Sequence, residues 1–234
     1  MGCDWASIAS RVHGRLRDGD EVEARRLEQP LEELRRCFVE ELFGDGVREA
    51  REWVARLNEA VERVKRVLGV QGVLCPKELL SFLRDPLAHL AKKLFNYAYD
   101  LARGRISVDE FRRTAEAAAR TSLRTNLRSV YEAWVYLNLV AQVVEQGGGE
   151  LVFPEHPHLL FERSGRQRSG AIPPNAVVRV EGRGYLSFYV EAPRPVGWAD
   201  TSDLSRSWRL YIALRPDLMV YGGLVMDILR DDDP

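Results

Sequence analysis

The chain has 234 residues, 45% of them hydrophobic, and a formal net charge of −1. That length fits one large domain or two small ones, and the hydrophobic share is enough to build a core. The near-neutral charge excludes a global basic field, so any binding of nucleic acid has to come from a local patch.

The cysteines and the hydropathy pattern indicate the environment of the protein. Cys3, Cys37 and Cys75 are far apart, odd in number and without a CxxC pair, which argues against a zinc site or a disulfide framework. A reducing cytoplasm is the expected location. No apolar run reaches the roughly 18–20 residues that cross a membrane, so no membrane association is predicted. Abundant arginine and glutamate suit a heat-adapted source.

The first helices are predicted from apolar residues at three- and four-residue spacing. This pattern runs over residues 21–43 and again over 47–68, and Gly44-Asp45-Gly46 separates the two runs. Glycine is a common end point of a helix. The two segments are therefore predicted to form an antiparallel helical hairpin.

Further helices follow with clear start signals. Pro76 opens one, and Asp85-Pro86 restarts it as a cap and first residue, with an end at Gly104. Ser107 and its partner three residues later form a capping box. It begins a long helix predicted over 108–146, for which a break near residues 121–122 is considered.

The composition changes after Gly147-Gly148-Gly149, which ends the long helix. Short segments rich in Val, Tyr and Phe follow, separated by Gly and Pro, and they are predicted to be strands. These segments are 151–153, 176–180, 185–191, 210–213 and 217–221. The predicted fold class is α+β. A helical domain is expected over 1–105, followed over 106–234 by a domain with a small mixed β-sheet packed on the long helix. Whether this second domain is complete is left open.

Glu132 is the first candidate site residue. It lies in a helix that is almost wholly apolar from Val130 to Val144, and at 100° per residue it is the last polar group before its seam enters the core. Partial desolvation raises the pKa of such a carboxyl unless a cation or metal holds it. A salt bridge to Arg128, one helical turn earlier, explains the residue equally well.

Asp217 is the second candidate, because it opens the last predicted strand in Arg215-Pro216-Asp217. A charge at the start of an apolar strand lies either at its solvated end or in a functional site. Aspartate after proline also marks turns, and Arg215 can pair with it, so this alternative stays open. Glu191 is a third candidate, as a neighbour of Asp217 on the adjacent strand.

Two of these segments carry a resemblance to a known family. Tyr131-Glu132-Ala133-Trp134 and, later, Leu214-Arg215-Pro216-Asp217 resemble motifs of the PD-(D/E)xK nuclease superfamily, in particular nuclease subunits of modification-dependent restriction systems and their archaeal relatives. The resemblance covers about residues 121–223. It implies a restriction-endonuclease-like fold and a Mg²⁺-dependent DNA endonuclease, in which Glu132 supports the metal and Asp217 ligates it. Bound Mg²⁺ there polarises the phosphate and lowers the pKa of the attacking water.

The sequence departs from that family in the next strand, which should carry (D/E)xK. Asp227 lies on the corresponding apolar run, but Leu229 stands where the lysine is expected. Glu191 precedes Asp217 instead of following it. Two interpretations therefore stay open: a nuclease, whole or truncated, and a catalytically silent nucleic-acid-binding or assembly module with a nuclease-like fold.

A basic loop is the candidate nucleic-acid contact. Arg163, Arg166 and Arg168 lie among Ser and Gly, and together with Arg215 they could contact DNA phosphates without reading the sequence. A solvated basic loop explains them equally well. The N-terminal helices are candidates for binding a protein partner or a second copy of the chain.

Overall fold

The computed structural model describes residues 3–17, 19–162, 172–192 and 216–228. Helices occupy most of its first two thirds and strands follow, so the predicted α+β class is confirmed. In chain order the elements are α1 (Trp5–Val12), α2 (Glu21–Leu68), β1 (Gly72–Leu74), α3 (Lys77–Arg84), α4 (Pro86–Lys93), α5 (Phe95–Ala102), α6 (Val108–Gly147), β2 (Glu150–Phe153), β3 (His158–Leu160), β4 (Ala176–Val180), β5 (Gly184–Val190) and β6 (Leu218–Gly222).

The chain divides into two compact units, each built from two stretches of sequence. The helical unit comprises Met1–Ala55 and Lys77–Val130, and the sheet unit comprises Arg56–Pro76 and Tyr131–Pro234. Helices α2 and α6 each contribute residues to both units. The division therefore differs from the boundary expected near residue 105. Among the described helices, none is both long and apolar enough to cross a membrane.

Helix α2 is a single helix of 48 residues, so the predicted hairpin at Gly44-Asp45-Gly46 is wrong. Its buried face continues across the glycines through Phe43, Val47 and Ala50. A glycine inside a helix costs only about 1 kcal/mol relative to alanine, which packing can offset. A Cβ on Gly46 would lie 2.6 Å from Cδ2 of Leu123, so the missing side chain lets α6 pack closely against α2.

The predicted helix starts at Asp85-Pro86 and at Ser107 are confirmed, whereas α3 begins at Lys77, one residue after the predicted start at Pro76. The Asp85 carboxylate accepts a hydrogen bond from the Ala88 N–H at 3.1 Å, and Pro86 is the first residue of α4. The Ser107 hydroxyl accepts one from the Glu110 N–H at 3.2 Å at the start of α6. Helix α6 continues to Gly147 without the break considered near residues 121–122.

A disulfide joins the start of the chain to α2, which corrects the expectation that the cysteines form no disulfide framework. Cys3 and Cys37 are bonded, with their Cα atoms 5.4 Å apart. Helix α1 brings them together because Trp5 packs edge-to-face on Phe38 at 5.0 Å. Cys37 is buried on the core side of α2. The two cysteines are 34 residues apart in sequence, so local spacing carried no signal of the pairing.

The sheet unit contains a four-stranded sheet in the order β2-β4-β5-β6, with every neighbouring pair antiparallel. Its four strands were predicted to within a residue or two. The expected mixed sheet is not seen among the described residues, because the parallel pairing, of β1 with β3, belongs to a separate two-stranded sheet. These two strands have three residues each and were not predicted. The strand predicted at 210–213 lies outside the described residues.

The sheet packs against the end of α6 and buries the second half of β5. A Cβ on Gly147 would lie 2.7 Å from Cγ1 of Val180, so α6 approaches β4 at a glycine. Phe188 and Tyr189 point to opposite faces of the sheet, and both are fully buried. The end of β5 is therefore held from both sides, and this rigid strand end positions the candidate site.

Candidate functional site

The candidate site lies at the edge of the sheet where β5 ends and β6 begins. Val190 pairs with Leu218 as the last residue pair of the two strands. The next residues are opposed, and the Glu191 N–H donates a hydrogen bond to the Asp217 carbonyl oxygen at 3.0 Å. The sequence suggested Glu191 as a neighbour of Asp217 on the adjacent strand, and the structure places it there.

Glu191 has an unusual backbone conformation. Its φ is +46°, and among the described residues no other non-glycine residue has a positive φ. A side chain in the left-handed region costs roughly 1–2 kcal/mol, because its Cβ crowds the following carbonyl. Such strain persists only where the surroundings enforce it, and it is concentrated at functional sites. The conformation therefore marks Glu191 as a candidate functional residue.

Buried apolar residues hold the chain next to Glu191. Ala192 packs in a cluster with Ile172, Tyr189 and Ile228, and all four are almost completely shielded from solvent. The chain therefore leaves β5, turns at Glu191 and enters the core again at the following residue. This arrangement opposes relaxation of the strained turn.

Asn175 fixes the same strand end from the side of β4. Its side chain is buried and accepts a hydrogen bond from the Val190 N–H at 2.7 Å. The amide group donates to the Glu162 carbonyl oxygen, also at 2.7 Å. Sequence reasoning missed this residue, although an asparagine directly after Pro173-Pro174 at the start of a strand was a visible signal.

Two carboxylate residues, Asp217 and Glu191, lie at this edge of the sheet. Asp217 is exposed and Glu191 is half-buried. Among the described residues, no group of three or more His, Cys, Asp and Glu side chains could hold a metal ion. Mg²⁺ is commonly bound by one or two protein carboxylates together with waters and substrate phosphates, so an ion at this edge would have to take its remaining ligands from waters and phosphates.

Glu132 lies on α6 in the same unit and is half-buried. Tyr136, one helical turn further along, is fully buried, which agrees with the predicted position of Glu132 at the point where its seam enters the core. Its role as a metal support stays a prediction.

Asp227 has a structural role in the segment after β6. Its carboxylate accepts a hydrogen bond from the Ile172 N–H at 2.9 Å, and the Ile228 N–H donates to the Ile172 carbonyl at 3.2 Å. The Tyr189 hydroxyl donates to the Val225 carbonyl at 2.8 Å. The residues after β6 are therefore fastened to β5 and to Ile172.

The basic residues predicted to contact DNA lie outside the described parts of the chain. These residues are Arg163, Arg166, Arg168 and Arg215. Their role as phosphate contacts therefore stays a prediction from the sequence.

A polar cluster elsewhere in the sheet unit joins α2 to α6. The Arg63 guanidinium donates hydrogen bonds to Asn138 at 2.9 Å, to Gln142 at 2.7 Å and to the Glu145 carboxylate. The hydrogen bond from Arg63 lowers the pKa of Glu145. Because three side chains of α6 bind one guanidinium, this cluster fixes the register of the two helices. Its role is therefore structural.

The helical unit contains a buried histidine that sequence reasoning also missed. His89 on α4 lies with Nε2 3.4 Å from a carboxylate oxygen of Glu78 and 3.4 Å from the side-chain nitrogen of Asn126. Burial lowers the pKa of His89, and the Glu78 carboxylate opposes that effect. The lysine bonded to Glu78, Lys93, lowers the pKa of this carboxyl.

Comparisons with known proteins identify no relative of this chain. No protein-family model matches the chain, and neither a curated protein nor a solved structure matches it. The likeness to PD-(D/E)xK nucleases therefore stays a resemblance of short motifs.

Proposed function

We propose that the chain is a metal-dependent nuclease domain acting on DNA, with the metal held by Asp217 and Glu191 at the edge of the sheet. The observation that carries the proposal is the hydrogen bond from the strained Glu191 backbone to Asp217. It brings two carboxylate residues together at one strand end, although they are 26 positions apart in sequence.

Each residue of the proposed site has a chemical role. The carboxylates of Asp217 and Glu191 would bind Mg²⁺ together with waters and substrate phosphates, and Glu132, which forms no group of three with them that could hold an ion, is not assigned to the metal. A bound Mg²⁺ supplies Lewis acidity at a phosphate oxygen and lowers the pKa of a bound water. The arginines at 163, 166, 168 and 215 hold the DNA backbone through phosphate contacts, which position the duplex without reading its sequence.

A second function has its own support: a catalytically silent module that binds nucleic acid or assembles with a partner. The lysine position of the resembled family is occupied by Leu229. The Asp227 carboxylate, which would be the acid of that motif, accepts a hydrogen bond from the Ile172 backbone. This hydrogen bond gives the carboxylate a structural role that needs no metal. Both features favour binding without cleavage.

Cleavage of plasmid DNA with Mg²⁺ or Mn²⁺ tests the proposal. Wild type should cleave, and Asp217→Asn and Glu191→Gln should each lower the rate by about 100-fold or more, since each removes one carboxylate from the metal. Glu181→Gln is the matched control, because Glu181 is an exposed carboxylate in the turn at the other end of β5.

The outcomes separate the two functions. Equal cleavage rates for wild type and Asp217→Asn would exclude a metal role for Asp217. Duplex binding that weakens steeply with salt, without cleavage by the wild type, would support the silent module instead.

A further inference from the structure

We propose that Asn175 is a positioning residue that fixes the contact between Glu191 and Asp217. The inference rests on the metal role proposed for that pair. In it, Asn175 lies outside the pair and keeps the two carboxylates in one arrangement.

The hydrogen bonds of Asn175 connect three segments of the sheet unit. Its backbone N–H donates to the Phe188 carbonyl at 2.7 Å. Its side chain joins the Val190 N–H to the Glu162 carbonyl through two further bonds of 2.7 Å. All three distances lie at the short end of the range for N–H···O bonds, which indicates a tightly held group.

The side chain of Asn175 adds a hydrogen bond to β5 beyond Ala176 and Phe188, the last residue pair of β4 and β5 at this end. The Pro173-Pro174 pair directly precedes Asn175 and has no N–H to donate to β5, although its carbonyl groups remain acceptors. The asparagine amide supplies both an acceptor and a donor at this point. The hydrogen bonding of β5 therefore extends to Val190, the last residue before the strained turn.

Loss of this acceptor would act directly on the turn at Glu191. Val190 is buried, so its N–H would be left without an acceptor in a place that water does not reach. The chain can avoid that cost by shifting at Val190 and relaxing the left-handed conformation of Glu191. The Glu191 N–H would then lose its alignment with the Asp217 carbonyl, and the separation of the two carboxylates would change.

Two measurements on the full chain test the inference, the exchange rate of the Glu191 amide by NMR and the Mn²⁺ affinity by calorimetry. Asn175→Ala should speed exchange at Glu191 by about 10-fold or more, as expected for loss of one buried hydrogen bond. It should weaken Mn²⁺ binding by about 10–100-fold, which is typical for removing a residue that orients a metal ligand.

The matched control is Ser187→Ala. Ser187 is also fully buried on β5 and also makes two hydrogen bonds, to the Gly223 carbonyl and from the Val225 N–H. These bonds lie on the side of β6 and its following turn. Ser187→Ala should therefore lower stability while leaving exchange at Glu191 and Mn²⁺ affinity within about 3-fold of wild type, a range smaller than one lost hydrogen bond produces.

Asn175→Asp supplies the conservative rescue. Aspartate keeps an acceptor for the Val190 N–H and loses the donor to Glu162. It should retain slow exchange at Glu191, within about 3-fold of wild type, if the acceptor is what positions the turn. This variant carries the test where Asn175→Ala does not fold, since fast exchange at Glu191 in folded Asn175→Asp contradicts the inference.

The results also separate the inference from the proposed function. Equal exchange at Glu191 in Asn175→Ala and Ser187→Ala would overturn the positioning role, whatever the metal data show. A wild type that binds no Mn²⁺, or binds it as well as Asp217→Asn does, would overturn the metal role. The exchange rates would then still decide whether Asn175 fixes the strand end.

Discussion

Breaking the Cys3–Cys37 disulfide should lower the stability of the helical unit without unfolding it. The bond closes a loop between residues 34 positions apart, for which the chain-entropy relation gives about 4 kcal/mol. Trp5, Ile8 and Val12 remain buried, and each such side chain contributes roughly 1.5–3 kcal/mol. Helix α1 should therefore stay docked. For a chain of this size the loss corresponds to a decrease in melting temperature of roughly 8–15 °C.

Thermal melts of wild type and Cys3→Ser, with and without a reductant, measure this effect. Cys3 is the better position to change, since it is exposed whereas Cys37 lies in the core. Reductant should lower the melting temperature of wild type and leave that of Cys3→Ser unchanged. Thiol titration of unreduced, denatured protein should find one thiol, that of Cys75. Three thiols, or equal melting temperatures for the two proteins, would refute the reasoning.

The remaining predictions concern single positions in the two units. Because burial lowers the pKa of His89, the unfolded chain binds its proton more tightly, so stability should fall as the pH drops below about 6.5. Melts over pH 7.5–5 should show a smaller fall for His89→Leu, and equal slopes would contradict this. Gly44→Ala should stabilise α2 by about 0.5–1 kcal/mol. Gly46→Ala should stabilise the helix less, or destabilise it, because the new Cβ meets Leu123. Equal urea midpoints for the two variants would refute the close approach of α6 to Gly46. Arg63→Lys should lower stability by about 1–2 kcal/mol in urea unfolding, since one ammonium cannot serve all three acceptors on α6. An unchanged midpoint would remove the structural role of Arg63.

Local signals in the sequence were sufficient to predict most of the elements. The caps at Asp85 and Ser107 depend on residues three positions apart, and both function as predicted. Alternating or continuous runs of Val, Tyr and Phe identified the strands of the larger sheet. These features are decided by neighbours along the chain, so the sequence alone contains the relevant chemistry.

Features decided by tertiary packing could not be read in this way. Gly44-Asp45-Gly46 carries the local signal of a helix end, but the packing of Leu123 against Gly46 favours a continuous helix. The disulfide depends on the docking of α1, which no local spacing of cysteines reveals. The three-residue strands β1 and β3 exist through their pairing with each other, since neither is long enough to be predicted independently.

The same distinction between local and tertiary signals applies to the candidate site. Asp217 was proposed from its motif, and Glu191 from its position at the end of a predicted strand. Their hydrogen bond and the left-handed turn at Glu191 became visible only with the register of β5 and β6. Asn175 was missed because its role depends on bonds to two segments that are distant in sequence.

The most direct test of the proposed site is a Mn²⁺ titration of wild type, Asp217→Asn, Glu191→Gln and the double variant. If the two carboxylates hold one ion, either single change should lower the affinity nearly as much as both together, because residues that share one site are not additive. The control Glu181→Gln should bind as wild type does. Affinities for both single variants equal to that of the control would contradict a shared metal site at the end of β5.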